Sequence, residues 1–226
     1  MLHSLNNGVV MKKLWINKQN SPELLLFFNG WGMDEKPFKH LETTNGLDVL
    51  MIYDYTTLED IEELNDYKTI HLAAWSLGVF AAAKVLAGIN FASAVAINGT
   101  LKPIDEDEGI APTIFQGTID SWSEVARMKF NRRMCGIEHA KQLKANAPER
   151  SIESQKIELI ALQEQITNNP IPENIFQYAI ISLNDKIFTR HNQETHWKNA
   201  RIPLTIIDEA HYFFPDMKNW KDMLFR

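Results

Sequence analysis

The stretch "IHLAAWSLGVFAAAKVL", residues 70–86, joins an apolar run typical of a buried strand to an alanine-rich run typical of a helix. At the junction, "AWSLG" places a small residue two positions to either side of Ser76, Ala74 before it and Gly78 after it. Small neighbours indicate a turn too tight for larger side chains, and such strand-to-helix turns are where exposed nucleophiles stand. The stretch therefore predicts a parallel α/β sheet with Ser76 at its carboxyl edge.

Apolar runs elsewhere in the chain extend this pattern into a sheet. We predict strands at about 12–17, 23–29, 47–53, 68–75, 92–97, 176–183 and 203–208. Helical patterns lie between or after them, at about 57–64, 77–88 and 215–225. Strands that alternate with helices predict a mostly parallel sheet flanked by helices.

The alternation stops between the strands at 92–97 and 176–183. A loop, "KPIDEDEGIAP", is followed there by helical segments near 119–128, 137–146 and 151–167. We interpret residues of about 101–174 as a helical lid over the sheet's carboxyl edge, where open α/β sheets bind ligands. The expected organisation is a single domain over 1–226, with its core in about 11–100 and 175–226.

Composition excludes several classes of protein. The 226 residues are 45% hydrophobic and carry a formal charge of −6, which argues against a dedicated nucleic-acid binder. Cys135 is the one cysteine, so no intramolecular disulfide forms and a reducing cytoplasm is expected. No apolar run is long enough to span a membrane, and the N-terminus lacks a signal-peptide pattern. Residues 1–10 could be an extension that precedes an alternative start at Met11.

A serine nucleophile needs a base and a group that orients the base. His211 follows the last predicted strand, and Asp185 follows the strand at 176–183. The chain order Ser76, Asp185, His211 is that of α/β-hydrolases. His211 and Asp185 also have structural interpretations: His211 could be a turn residue, and Asp185 could begin a helix. Asp208 is a rival to Asp185 as the group that orients the histidine.

Backbone amides are the expected donors to the developing oxyanion. One is that of Leu77, directly after the nucleophile. The other is expected from the loop "FFNGWGMDE", where Gly30 and Gly32 allow a turn that points the Trp31 amide into the site.

Other reactive residues lack partners at catalytic or ligand spacing. His139 and four further histidines are interpreted as surface or core residues, and Cys135 as a buried hydrophobe. No HExxH motif, CxxC pair or phosphate-binding glycine loop occurs, so neither a metal nor a nucleotide cofactor is expected.

From about Lys12 to the C-terminus, the sequence resembles the BioG-type pimeloyl-[acyl-carrier-protein] methyl ester esterases, which are α/β-hydrolases. The motifs that carry the resemblance are "FFNGWGMD", "AAWSLGVFAA", "AINGTLKPIDEDEGI", "FNRRMCG", "SLNDKIF" and "EAHYFF". The resemblance implies Ser76 as nucleophile, His211 as base and Asp185 as its orienting group, with the Trp31 and Leu77 amides as the oxyanion hole. Ala74 replaces the first glycine of the general hydrolase pattern.

The implied reaction frees the distal carboxylate of a pimeloyl chain on an acyl carrier protein, in biotin synthesis, and releases methanol. The resemblance implies no cofactor. The implied partner is the carrier protein bearing a methyl pimeloyl group.

A basic segment within the lid is compatible with such an acidic partner. Residues 127–150 hold seven basic and two acidic residues, a net charge of +5 in a chain of net charge −6. Arg132 and Arg133 are the expected contacts. A solvated helical face would explain the same charges.

Two other functions remain open from the sequence. The same residues would serve a thioesterase that cleaves the other end of the acyl chain. A non-catalytic protein that binds a carrier is the third hypothesis, and the intact serine, aspartate and histidine argue against it.

Overall fold

A seven-stranded sheet lies at the centre of the computed structural model, which describes residues 10–224 without the Glu138 side chain. The strands are β1 (Lys12–Asn17), β2 (Glu23–Phe28), β3 (Asp48–Tyr53), β4 (Thr69–Trp75), β5 (Ser93–Ile97), β6 (Tyr178–Ser182) and β7 (Leu204–Ile207). Their order is β1-β3-β2-β4-β5-β6-β7, in which only the β1–β3 pair of this sheet is antiparallel. The predicted mostly parallel sheet is confirmed. The suggested N-terminal extension lies almost wholly outside the described residues.

Apolar side chains on both faces bury the central strands. In β2, Leu24 and Phe28 are fully buried, as are the residues between them, so the strand is covered on both sides. The alanines of α1 (Gly78–Val85) let this helix pack closely on the sheet. On the opposite face, aromatic rings of Phe27, Phe38 and Phe214 pack edge to face.

An insertion of helices separates β5 from β6. It contains α2 (Pro112–Ser121), α3 (Glu124–Ala145) and α4 (Ile152–Thr167). The prediction for 151–167 is confirmed, whereas the predicted helix at 119–128 is wrong because the chain breaks at Trp122. Ser123 then begins α3 by accepting a hydrogen bond from the Ala126 amide. Within residues 10–224, no helix is both long and apolar enough to cross a membrane.

Two other predicted helices are wrong. Residues 57–64 hold only the start of a 3-10 turn, Glu62–Asp66. Before it the chain bends at Thr57, whose hydroxyl accepts the Met11 amide, and is extended at Ile61. The predicted helix at 215–225 is replaced by two 3-10 turns, Phe214–Asp216 and Trp220–Leu224.

Helix α5 (Arg190–Asn199) was not predicted. Its buried side chains are Gln193, His196 and Trp197, so its inward face is mostly polar and gives no apolar periodicity. The "KPIDEDEGIAP" loop explains this polarity. His196 Nδ1 lies 2.7 Å from Glu108 Oε2 in that loop, and the half-buried Asn192 donates its side-chain amide to the carbonyls of Glu106 and Gly109, at 2.8 and 2.9 Å.

Candidate active site

Three polar side chains meet at the carboxyl edge of the sheet. Ser76 directly follows β4, Asp185 follows β6, and His211 follows β7. His211 Nε2 lies 3.0 Å from Ser76 Oγ, and His211 Nδ1 lies 2.7 Å from Asp185 Oδ2. The structure thus brings together the three residues that the sequence singled out, with His211 between Ser76 and Asp185 as the predicted roles require.

Ser76 stands on a strained turn between β4 and α1. Its φ is +58°, and its amide donates to the Ile97 carbonyl at 2.9 Å, so the turn is tied to β5. A side chain at Gly78 would place a Cβ 2.4 Å from the Asn29 carbonyl oxygen. Glycine at 78 therefore lets the first turn of α1 approach β2, which explains the Ser-x-Gly spacing.

Asp185 is held by donors on both of its oxygens. Oδ1 accepts the amides of Ile187 and Phe188 at 2.7 and 3.0 Å. Oδ2 accepts the Gln193 side-chain amide at 3.0 Å beside the His211 contact. The rival Asp208 is exposed and accepts instead from the Asn184 side chain.

Asn98, which the sequence analysis did not assign to the site, fixes the loop that carries His211. This fully buried side chain donates to the His211 carbonyl at 3.0 Å and to Ser182 Oγ at 2.8 Å. Its oxygen accepts the Ser182 amide at 2.7 Å. The signal in the sequence was the stretch "AINGT" at the end of a predicted strand, and the structure adds a positive φ of 47° at Asn98. Asn98 joins the ends of β5 and β6 to the backbone of His211.

We expect Asn98→Ala to lower the free energy of unfolding by about 3 kcal/mol, because three buried hydrogen bonds are lost. The Ser182 amide and hydroxyl lose this partner, whereas the His211 carbonyl still accepts from Trp75 Nε1 at 3.0 Å. Urea unfolding would measure the difference. Asn90→Ala is the matched control, since Asn90 is exposed. A loss no larger than that of the control would contradict the role given to Asn98.

The sequence predicts the Trp31 and Leu77 amides as donors of an oxyanion hole. Both residues line the same cavity as Ser76 and His211. Neither amide has a hydrogen-bond acceptor among the described residues. The turn that carries Trp31 is closed by the Met33 amide, which donates to the Gly30 carbonyl at 3.3 Å.

The cavity above Ser76 has a volume of about 290 Å³. Its wall is largely apolar and comes from the insertion, with Ile114, Phe115 and Leu159 among its residues. Charged and polar groups also line it: Glu106, Arg133, Lys186 and Asn192. A site of this kind suits an extended apolar chain with a polar group at one end.

The structure separates the two arginines predicted to contact a carrier. Both are exposed, but Arg133 lines the cavity above Ser76, whereas Arg132 lines a separate groove beside α3. Arg150, counted in the basic segment, has a side chain that is only 8% exposed and forms ion pairs with Asp54 and Glu158 at 3.1 and 3.0 Å. The positive surface is therefore smaller than the sequence suggested.

A kink in α3 connects the insertion to the loop that carries His211. Gly136 has a φ of +65°, so the helix breaks there. The freed Met134 carbonyl accepts the Tyr212 amide at 3.1 Å. Cys135 is buried beside the kink, and burial raises the pKa of its thiol to about 12, as expected for a core cysteine rather than a nucleophile.

His139, on the same helix, has carboxylate neighbours that the sequence analysis did not anticipate. Its Nε2 lies 3.0 Å from Asp216 Oδ2 and 3.6 Å from Glu209 Oε2. The three residues come from segments far apart in the chain, so their spacing gave no signal. The cluster flanks the His211 loop and adds a second contact between that loop and the insertion.

The fold and the placement of the site define the class of protein: an α/β-hydrolase. An esterase from Exiguobacterium antarcticum shares the fold, with a TM-score of 0.69 and 15% identity over 91% of this chain and 89% of that one. The predicted fold class is therefore confirmed.

The chain belongs to the family of the pimeloyl-ACP methyl esterase BioG, which its residues 11–223 match. The crystal structure of BioG from Haemophilus influenzae has a TM-score of 0.87 and 35% identity, and covers 94% of this chain and 99% of that one. The family resemblance seen in the sequence is confirmed, and so is a hydrolase class with esterase neighbours.

A Bacteroides fragilis protein named malonyl-[acyl-carrier protein] O-methyltransferase is 43% identical over 194 residues, 84% of this chain. The match covers 39% of that relative, so this chain spans about two fifths of its length.

Proposed function

We propose that the protein is a serine esterase that hydrolyses the methyl ester of a pimeloyl chain carried by an acyl carrier protein. The observation that carries the proposal is the continuous contact from Asp185 through His211 to Ser76 beneath a largely apolar cavity, in a chain of the BioG family. The B. fragilis relative is named as an O-methyltransferase acting on a carrier-bound acid. That name is compatible with the proposal, because such a methyltransferase makes a methyl ester on a carrier-bound acid and a methyl esterase hydrolyses one.

In the proposed mechanism, His211 Nε2 takes the proton of Ser76 Oγ as the oxygen attacks the ester carbonyl. Asp185 stabilises the imidazolium that forms. The Trp31 and Leu77 amides donate to the oxyanion of the tetrahedral intermediate. His211 returns the proton to the leaving methoxide, so methanol departs, and water then hydrolyses the acyl-enzyme by the same steps to release the carboxylate and Ser76.

The test is incubation of methyl pimeloyl-carrier protein with the purified protein, followed by mass analysis of the products. Free carboxylate on an intact carrier thioester is the expected result. Cleavage of the thioester would assign a thioesterase instead. Binding without any product would assign a non-catalytic carrier-binding protein.

Arg133 is the residue proposed to contact the phosphopantetheine phosphate of the carrier, because it is exposed and lines the cavity. We expect Arg133→Glu to raise KM for the carrier-bound ester by about tenfold, which corresponds to ~1.4 kcal/mol. KM for free dimethyl pimelate should stay unchanged. Arg132→Glu is the matched control, and equal effects of the two variants would contradict the distinction drawn between them.

A further inference from the structure

Helix α4 of the insertion holds the loop that carries Trp31. The Trp31 indole Nε1 donates to the Gln155 carbonyl at 2.7 Å, and the Gln155 side-chain amide donates to the Gly32 carbonyl at 2.8 Å. Glu158 Oε2 accepts the Gly32 amide at 3.1 Å. The backbone of Gly32, directly after Trp31, is thereby fixed by two side chains of α4, Gln155 and Glu158.

Glu158 is fully buried, and it binds more than this loop. Its Oε1 accepts the Tyr55 amide at 3.0 Å, and its Oε2 lies 3.0 Å from Arg150, which also pairs with Asp54 at 3.1 Å. Burial raises the pKa of Glu158 to about 7 against the opposing effect of Arg150. A carboxyl group in such a place is costly to ionise, and packing alone does not require one.

The groups that donate hydrogen bonds to Glu158 indicate its role. Besides Arg150, they are backbone N–H groups of two loops at the sheet edge, that of Gly32 beside Trp31 and that of Tyr55 after β3. The Trp31 amide itself has no acceptor among residues 10–224, so it stays available to a ligand. An oxyanion hole functions only when its donors are held in place before the reaction.

We propose that Glu158 is a positioning residue for the oxyanion hole: by binding the Gly32 amide from α4, it fixes the peptide beside it and so the direction of the Trp31 N–H. The inference rests on the proposed function. In this role, the insertion helps to orient a donor to the oxyanion, and it also forms a wall of the substrate cavity.

The test is Glu158→Gln, which keeps the size of the side chain but offers one acceptor oxygen for two N–H groups. We expect kcat for ester hydrolysis to fall about 10- to 100-fold, with KM within about twofold, because the lost contact acts on the transition state. The matched control is Glu164→Gln on the same helix, where the carboxylate is exposed. Its kcat should equal that of the parent.

A second readout separates this inference from the choice of substrate. A p-nitrophenyl alkylphosphonate labels an activated serine through an oxyanion-like intermediate, whatever the natural ester. Glu158→Gln should slow this labelling of Ser76 by a factor close to the loss in kcat. If the methyl ester is not hydrolysed but labelling is slowed, the substrate proposal fails and the positioning role stands.

Gln155→Met provides the independent variant if Glu158→Gln does not fold. It removes the buried bond to the Gly32 carbonyl, and it also removes the Gln155 Oε1, which lacks a partner among the described residues, so part of the cost in stability is offset. It should also lower kcat without raising KM. Unchanged kcat and labelling in a folded variant would overturn the proposal, as would a loss that the Glu164→Gln control shares.

Discussion

Ser76→Ala is expected to lower kcat for ester hydrolysis by about 10⁴-fold or more, because no other hydroxyl replaces the attacking oxygen. Ser76 Oγ lies 3.0 Å from His211 Nε2, so the variant removes both the nucleophile and the proton that the base accepts. The stability should change little, since the substitution deletes one oxygen and leaves the backbone turn. The measurement is the initial rate of hydrolysis of methyl pimeloyl-carrier protein.

Ser121→Ala serves as the control for this variant, because Ser121 is exposed on α2. Binding of the carrier-bound ester should persist in Ser76→Ala. Turnover within tenfold of the parent protein would show that another residue attacks the ester and would exclude the proposed mechanism.

The second large effect is expected at Asp185. Asp185→Asn keeps the shape of the side chain but replaces the carboxylate oxygen that accepts His211 Nδ1–H. Depending on how the asparagine amide is turned, its NH2 group, a donor, or its neutral carbonyl oxygen then faces Nδ1. A donor there favours the wrong imidazole tautomer, and the imidazolium loses its counter-charge. We expect kcat to fall by about 10⁴-fold at neutral pH.

Asp208→Asn is the matched control for Asp185→Asn, because both aspartates follow neighbouring strands and only Asp185 contacts His211. The control should keep full activity, as measured by kcat for the same methyl ester. Equal losses in the two variants would return Asp208 to consideration as the orienting group.

The sequence predicts the sheet well because its central strands are buried on both faces. Leu24 to Phe28, for instance, form an unbroken apolar run, a signal that depends on no distant residue. The positions of Ser76, Asp185 and His211 follow from the same strands, since parallel strands end at one edge.

The features that escaped prediction depend on polar contacts between distant segments. Helix α5 buries Gln193 and His196, which look like surface residues in a pattern of hydrophobicity. Asn98 and Glu158 bind backbone groups that lie far from them in sequence, at separations of 84 and 126 residues for Ser182 and Gly32. Hydrophobic periodicity carries no information about such partners.

The contacts of the insertion with the sheet edge limit how the cavity can open. Met134 binds the Tyr212 amide, Gln155 binds Trp31, and Glu158 binds Gly32. A swing of the whole insertion as a rigid flap would break these bonds on both sides of Ser76 at once and disassemble the site with every turnover. We therefore expect substrate to enter without such a swing, while α4 and the kink of α3 keep their contacts with the loops beside Ser76.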